Sequence, residues 1–403
     1  MTRSAGLLVI ASIALAACST AGSSTAPSAA APSAAAPSAA APSTAASAAA
    51  SAAASTGASA APSASAANMD ALVTAAKAEG GLTTIALPRD WCNYGALIDG
   101  FTAKYGIPIN GLNPGGGSKD ELEAIKANKT NPGPQAPDVV DVGLSYGPQG
   151  VTEDLYQPYK VSTWDSIPDN AKEASGLWYG DYYGVLSFEV NTKVVTTVPK
   201  DWSDLLKPDY KNMVALAGDP TASNQATSGV WASGFSQGGG VDNAEPGLQF
   251  FKQLNEAKNF VPVIGNAQTV ASGETPIRIA WTYNALADKD SLKGNPPIEV
   301  VVPTTGRFGG MYVQAISKYA PHPNAAKLWM EYLYSDEGQN AWLKGYCVPI
   351  RHEDMKAKGT VDQAAEAKLP DTTGVVLPTL DQITKATEVI VKGWPTTVGV
   401  TVQ

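Results

Sequence analysis

From residue 81 onward, hydrophobic positions follow two alternating rhythms. "GLTTIAL" (81–87) is a short apolar run and predicts a strand. "NYGALIDGFTAKYG" (93–106) has helical spacing and closes at Gly106, as a helix C-terminus does. "IPINGLN" (107–113) predicts a second strand. "SKDELEAIKAN" (118–128) predicts a helix opened by a Ser118–Glu121 capping box. "PDVVDVGL" (137–144) predicts a short apolar strand of the buried parallel type. The alternation returns where "MVALAG" (213–218) leads into "ASNQATSGVWASGF" (222–235), and "TPIRIAW" (275–281) into "YNALADKDSLKG" (283–294). Strand–helix alternation predicts βαβ units, mostly parallel sheets covered by helices on both faces, and two α/β lobes.

The N-terminal part has a different pattern. In "MTRSAGLLVIASIALAAC" a basic start at Arg3 precedes an apolar run over residues 5–17, the layout of a secretory signal and too short for a membrane span. Residues 19–67 are nearly all Ala, Ser, Pro, Thr and Gly, with "AAPSAAAPSAAAPS" repeating. Such a segment has almost nothing to bury against its ordering entropy, and its prolines interrupt helix, so it reads as a tether. The folded part is then expected over residues 68–403.

Charge and composition narrow the function. The net charge is −9, with no basic block, which excludes nucleic acid as a partner. The two histidines, His322 and His352, have no metal-ligand partner at useful spacing. "NPGGGSKDE" (113–121) lacks the Gly-Lys-Ser/Thr ending of a phosphate loop. A lipid-anchored hydrolase therefore has little support, and no catalytic residue, metal or cofactor is expected. A cell-wall structural protein would suit the tether but not the strand ends.

Ligands of open α/β sheets sit beyond the carboxyl ends of the strands, and here each such end carries polar or aromatic residues. The first strand is followed by Asp90, Trp91, Asn93 and Tyr94, and the second by a glycine loop with Gly116, Gly117 and Ser118 at a helix start. The third is followed by Ser145 and Tyr146, the "VALAG" strand by Asp219, Ser223, Asn224 and Gln225, and "IRIA" by Trp281, Tyr283 and Asn284. Together they outline one cleft. Asp219 also fits a plain turn or cap, Tyr182 and Tyr183 a hinge or core, and Arg307 the surface. Cys92 and Cys347 are a possible disulfide in an oxidising compartment.

Leu15-Ala16-Ala17-Cys18 resembles a bacterial lipobox, which makes 1–18 the signal and Cys18 the lipidated first mature residue. "LIDGFTAKYGIPIN", "DVVDVG", "YGDYYGVLSFEVNTKVV", "PKDWSDLLKPDYKNMVAL", "DPTASNQ", "SGETPIRIAW", "VVVPTTG" and "PHPNAAKLWMEYLYSDEGQNAWLKGYCVPIR" resemble, in combination, the solute-binding proteins of bacterial ABC importers. The resemblance is to the type II periplasmic-binding-protein branch that takes ferric ion, polyamines, phosphonates or thiamine. It implies a two-lobe fold with hinge crossover strands, lobe one from 68–188 and 306–403 and lobe two from 189–305. It also implies an exported, lipid-anchored monomer that closes on a small-molecule solute and docks on the transmembrane subunits of an ABC permease. Ferric relatives place paired tyrosines near "AWTYNAL", where this chain has only Tyr283, with Trp281 before it. Polyamine relatives use aromatic walls and carboxylates, for which Trp91, Tyr94, Trp281, Tyr283, Asp90 and Asp219 are candidates. Phosphonate relatives use helix N-termini and hydroxyls, which Gly115–Ser118 and Ser223–Gln225 match. A zwitterion, with its amine near Asp or Trp, would satisfy both halves.

Overall fold

The computed structural model describes residues 66–403; the signal, Cys18 and all but the last two tether residues lie outside them. In chain order, α1 (Ala66–Glu79) precedes β1 (Leu82–Ile85), α2 (Tyr94–Tyr105), β2 (Ile109–Leu112), α3 (Ser118–Ala127), β3 (Val139–Gly143) and α4 (Tyr146–Thr152). Then come β4 (Tyr156–Gln157), the long β5 (Tyr179–Asn191), β6 (Val214–Leu216), α5 (Asn224–Phe235), α6 (Glu245–Glu256) and α7 (Ala267–Ser272). The chain continues through β7 (Ile277–Trp281), α8 (Thr282–Leu292), β8 (Ile298–Val301), β9 (Gly309–Ser317), α9 (Pro323–Leu333) and α10 (Asp336–Lys344). It ends with β10 (Val348–Pro349), α11 (His352–Lys358), α12 (Gln363–Glu366) and α13 (Leu380–Thr397).

The apolar spacing does what it predicts. Tyr94, Leu97 and Phe101 bury one face of α2, and Gly106 closes it in the left-handed region at φ 70°, its N–H donating to the Thr102 carbonyl. In α6, Leu248, Phe250, Phe251 and Leu254 are fully buried, each worth roughly 1.5–3 kcal/mol. α6 approaches α5 so closely that a Cβ on Gly247 would collide with the Val230 carbonyl. An alanine there would force the two helices apart.

β5 joins the two lobes. Its first half, from Tyr179 to Val185, pairs with β9, and its second, from Leu186 to Asn191, with β7 and β8. One continuous strand thus serves both sheet halves, in the strand order β3-β9-β5-β7-β6. The α/β class and helix cover are as expected. Among the described residues the strands that pair in parallel are β1–β2 and β6–β7, with isolated parallel bridges at Val214–Phe260 and Phe308–Val376. β3 is a correction: it runs antiparallel to β9, the strand that returns from the second lobe.

A second correction concerns the C-terminus. After β9 the chain builds α9–α12 on the first lobe. It then crosses again, with the Val376 N–H donating to the Arg307 carbonyl and the Gly309 N–H to the Val376 carbonyl, both at 2.9 Å. α13 packs on the second lobe: the Trp394 ring lies 5.5 Å from Phe251 and 5.9 Å from Phe260. Residues 380–403 therefore do not belong with lobe one. The apolar stripe Ile383, Ala386, Ile390, Trp394 follows a face of α6 that would otherwise be bare.

Cys92 and Cys347 are disulfide-bonded, with Cα atoms 5.6 Å apart across 255 residues of sequence. The bond fastens the turn after β1 to the segment after α10. Among the described residues no helix is long and apolar enough to cross a membrane.

Candidate functional site

The turn at residues 90–93 aims the Trp91 side chain at the cleft, buries Cys92 and half-buries Asn93. Cys92 (φ 46°) and Asn93 (φ 63°) both adopt the left-handed conformation, a costly state for residues with a Cβ that surrounding contacts must hold in place. Cys92 is held by its disulfide, and Asn93 by a 2.8 Å hydrogen bond from Nδ2 to the Ala341 carbonyl. The reversal turns Trp91 the other way, over the cleft floor. Its ring lies 5.2 Å from Tyr283 and 5.5 Å from Tyr312, and its Nε1–H donates to the Tyr182 hydroxyl at 2.6 Å.

Two helix N-termini face this floor. At α3 the capping differs from the expectation: Gly117 is the N-cap residue, and its N–H donates to Asp120 Oδ2 at 2.9 Å. Ser118 and Glu121 turn inward instead and brace β3, accepting hydrogen bonds from the N–H groups of Gly143 (3.0 Å) and Asp141 (2.9 Å). At α5, Ser223 is the N-cap, its Oγ accepting from the Ala226 N–H. The remaining first-turn N–H groups of each helix have no intrahelical acceptor.

The two lobes meet between these helices. A Cβ on Gly143 would lie 2.5 Å from Asn224 Cγ, so only a glycine at the end of β3 lets α5 come this near. The Tyr146 hydroxyl donates to the Ala222 carbonyl at 3.5 Å; burial pushes its pKa up to about 12, so it remains a donor. The chamber enclosed is about 310 Å³ and is lined by Trp91, Gly115–Ser118, Asp120, Asp141, Tyr312, Asp219 and Ser223–Gln225. A second chamber of about 360 Å³ shares Trp91, Ala217, Gln225 and Ile264 with it and adds Asp90, Arg278, Asn284 and Asp288.

Beneath the first chamber lies a carboxyl pair. Asp141 Oδ2 accepts from the Tyr182 hydroxyl at 2.7 Å. Asp181 accepts from the Tyr182 N–H at 2.6 Å and from Gln314 Nε2 at 2.9 Å, and Gln314 Nε2 also donates to the Tyr94 hydroxyl at 2.8 Å. Burial pushes the Asp141 carboxyl up to about 6. Burial and the Asp141 charge push Asp181 well above the carboxylate range, and burial does the same to Glu121.

Of the sequence candidates, Asp90, Trp91, Gly116, Gly117, Ser118, Asp219, Ser223, Asn224, Gln225 and Asn284 line the two chambers. Six others do not. Asn93 and Tyr94 are structural, as described. Ser145 sits at the start of α4 without a capping bond, and Tyr146 reaches the cleft rim only through Ala222. Trp281 and Tyr283 are fully buried, because the bare backbones of Gly310 and Gly184 leave hollows that their rings fill. Asp219 spends its carboxylate on the Thr221 N–H (2.9 Å) and hydroxyl (2.8 Å). Asp120, Asp141, Tyr312, Arg278 and Asp288 were missed. Asp141 had a signal, a lone acid inside the apolar run "VVDVG"; Tyr312 had none. Among the described residues there is no group of three or more His, Cys, Asp or Glu suited to a metal ion.

A family model described as bacterial extracellular solute-binding protein matches residues 135–385. An uncharacterized protein of Haemophilus influenzae is 30% identical over 267 residues, 62% of this chain and 72% of that protein. A Salmonella typhimurium periplasmic protein named for 2-aminoethylphosphonate binding is 26% identical over 271 residues, 64% of this chain and 74% of that protein. Among solved structures, the periplasmic binding protein AfuA of Actinobacillus pleuropneumoniae, with fructose-6-phosphate, has a TM-score of 0.61 at 23% identity. The match covers 80% of this chain and 99% of AfuA. The ferric ion-binding protein A of Pasteurella haemolytica has a TM-score of 0.58 at 17% identity, over 79% of this chain and 98% of its own.

Proposed function

The chain belongs to the bacterial extracellular solute-binding protein family, and on that premise we propose that the solute it captures for its ABC importer is a small zwitterion bearing an amine and a phosphonate-like anion. One observation carries the reading. The N-termini of α3 and α5 and the Asp141 carboxyl all open onto the same chamber of about 310 Å³. Helix N-termini offer N–H donors and the positive end of a dipole to an anion. The carboxylates and the face of Trp91 suit an amine. The Salmonella relative named for 2-aminoethylphosphonate binding supports the same chemistry.

The lobes of the binding protein are residues 68–188 with 306–379, and 189–305 with 380–403. They close by bending at β5, at the start of β9 and at Val376, and the closed pair presents the surface that docks on the permease. Export, lipidation at Cys18 and a tether of 19–67 would hold this monomer at the outer face of the cell membrane.

Thermal-shift measurements against 2-aminoethylphosphonate, spermidine, putrescine, ferric citrate, thiamine and simple sugars test the ligand class. A true ligand at 100 times its Kd should add about 2.7 kcal/mol of stability. Stabilisation by the aminophosphonate alone is expected. A response to spermidine or ferric citrate without one to the aminophosphonate would replace this reading.

A further inference from the structure

Asp141 is the least satisfied polar group on the chamber floor. It is 5% exposed and lines the chamber, yet no N–H or O–H among the described residues donates to its Oδ1. A buried negative group with no cation beside it is costly to keep ionised. The groups that face it supply no cation. They are Glu121 from α3, Tyr94 from α2, Asp181 and Tyr182 from β5, Tyr312 and Gln314 from β9, Tyr283 from α8 and Tyr334 from the turn after α9.

Tyr182, Tyr94 and Asp181 reach Asp141 only as uncharged donors, so two cations can answer its charge: a proton, or an ammonium arriving in the chamber. Asp181, in hydrogen-bonding contact with Asp141, already holds one proton for the pair, since two buried carboxyls in contact do not both ionise. We propose that Asp141 is the residue that receives the solute's ammonium, and that a second proton competes with the ammonium for it. This deepens the zwitterion reading and rests on it. Trp91 and Tyr312, whose rings flank the same floor, would face the ammonium from the sides. The exchange balances: when the ammonium docks on a protonated Asp141, one proton leaves to solvent and the charge of the pair is answered by the ligand. The position of Asp141, pushed up by burial to about 6, sets where the competition begins.

The test compares 2-aminoethylphosphonate with ethylphosphonate, which has the same anion and no amine, by titration calorimetry on the full protein. The ammonium lowers the second phosphonate ionisation of the aminophosphonate relative to ethylphosphonate, so each ratio is read against the same ratio in D141N, where the ligands titrate identically. The aminophosphonate should bind at least tenfold more tightly at pH 7.5. That preference should shrink about tenfold for each pH unit below about 6, as one competing proton requires. D141N should lose most of the preference and keep only the pH dependence that the ligands' own ionisation gives. If D141N does not fold, D141S takes its place. A ratio that stays flat from pH 5 to 7.5, or a preference for the amine that survives D141N, overturns the inference while leaving phosphonate capture intact. Failure of both phosphonates to bind overturns the ligand class itself, and this inference with it.

Discussion

Two buried acidic clusters share strand β5, and they are built on opposite terms. Glu189, in the half that pairs with β7, faces Arg278 at 2.5 Å, and the same guanidinium contacts Asp288 on α8. Asp181, in the half that pairs with β9, accepts from Gln314 Nε2 and the Tyr182 N–H, and the Asp141 beside it accepts from the Tyr182 hydroxyl. The first cluster carries its own cation; the second does not. Burying charge is tolerated when it is paired and hydrogen-bonded, and otherwise the group keeps its proton. A cluster that balances itself can serve the fold. One that stays short of a cation and opens on a cleft is poised to take a cation from outside.

The sharpest break in that contrast is the loss of Arg278. R278M would leave Glu189 and Asp288 buried without a counter-charge, and removing one member of such a set typically costs about 3–5 kcal/mol. Urea unfolding at pH 7.5 should show a loss of that size. A loss under 1 kcal/mol would mean that the two clusters do not differ in the way described.

A smaller effect, on folding and on binding, is expected at Trp91. Its indole N–H holds the Tyr182 hydroxyl, which in turn donates to Asp141, so the ring connects the chamber wall to the cation-poor cluster. W91F keeps an aromatic face and removes that donor. The lost bond joins two protein groups, so stability in the same urea measurement should fall by about 0.5–1.5 kcal/mol, and affinity for 2-aminoethylphosphonate should fall as well, because the Tyr182 hydroxyl that donates to Asp141 is no longer held. An unchanged Kd would detach the wall from the cluster.

Smaller still is the expected cost of D181N. An amide mimics the protonated acid that Asp181 already is, so the change should stay within about 1 kcal/mol in the same urea measurement, against several for R278M. A cost equal to that of R278M would show that Asp181 acts as a charge.

Much of the fold was legible because its signals are local. Gly106 closes α2 where the glycine stands, and the apolar runs 82–85, 214–216 and 277–281 are strands. What was not legible depends on pairing at a distance. The direction of β3 is set by β9, far along the chain. The second crossing at Val376 is set by Arg307 and Gly309, and a strand pattern does not name its neighbour. The site divides in the same way. Ser223–Gln225 were readable as a helix start facing a strand end. Trp281 and Tyr283 read as cleft aromatics because nothing local reveals the glycine hollows at Gly184 and Gly310 that draw them into the core. Asp141 was passed over because a strand with one acid still reads as apolar.

The last effect separates the two clusters by pH. Burial raises Glu189 from the ordinary 4.5 to about 7, with Arg278 opposing and Asp288 adding to the shift. A carboxyl whose folded-state value is raised favours the folded protein only while it is protonated. Its contribution is complete below pH 4.5 and is lost as pH climbs through 7. Asp141 has the same sign in a lower window, from the ordinary 3.8 to about 6. Carboxylates held down by surface partners, such as Glu153 and Glu366, act in the opposite sense and only at more acid pH. Urea midpoints of the wild type should therefore decline from pH 5 to 7.5. E189Q, which cannot ionise, should remove the decline above pH 6, where Glu189 alone of the two titrates, and only reduce it between pH 5 and 6, where Asp141 still contributes. If the whole slope survives in E189Q, the titration belongs to the Asp141 pair, and the cluster that holds its own cation is pH-silent.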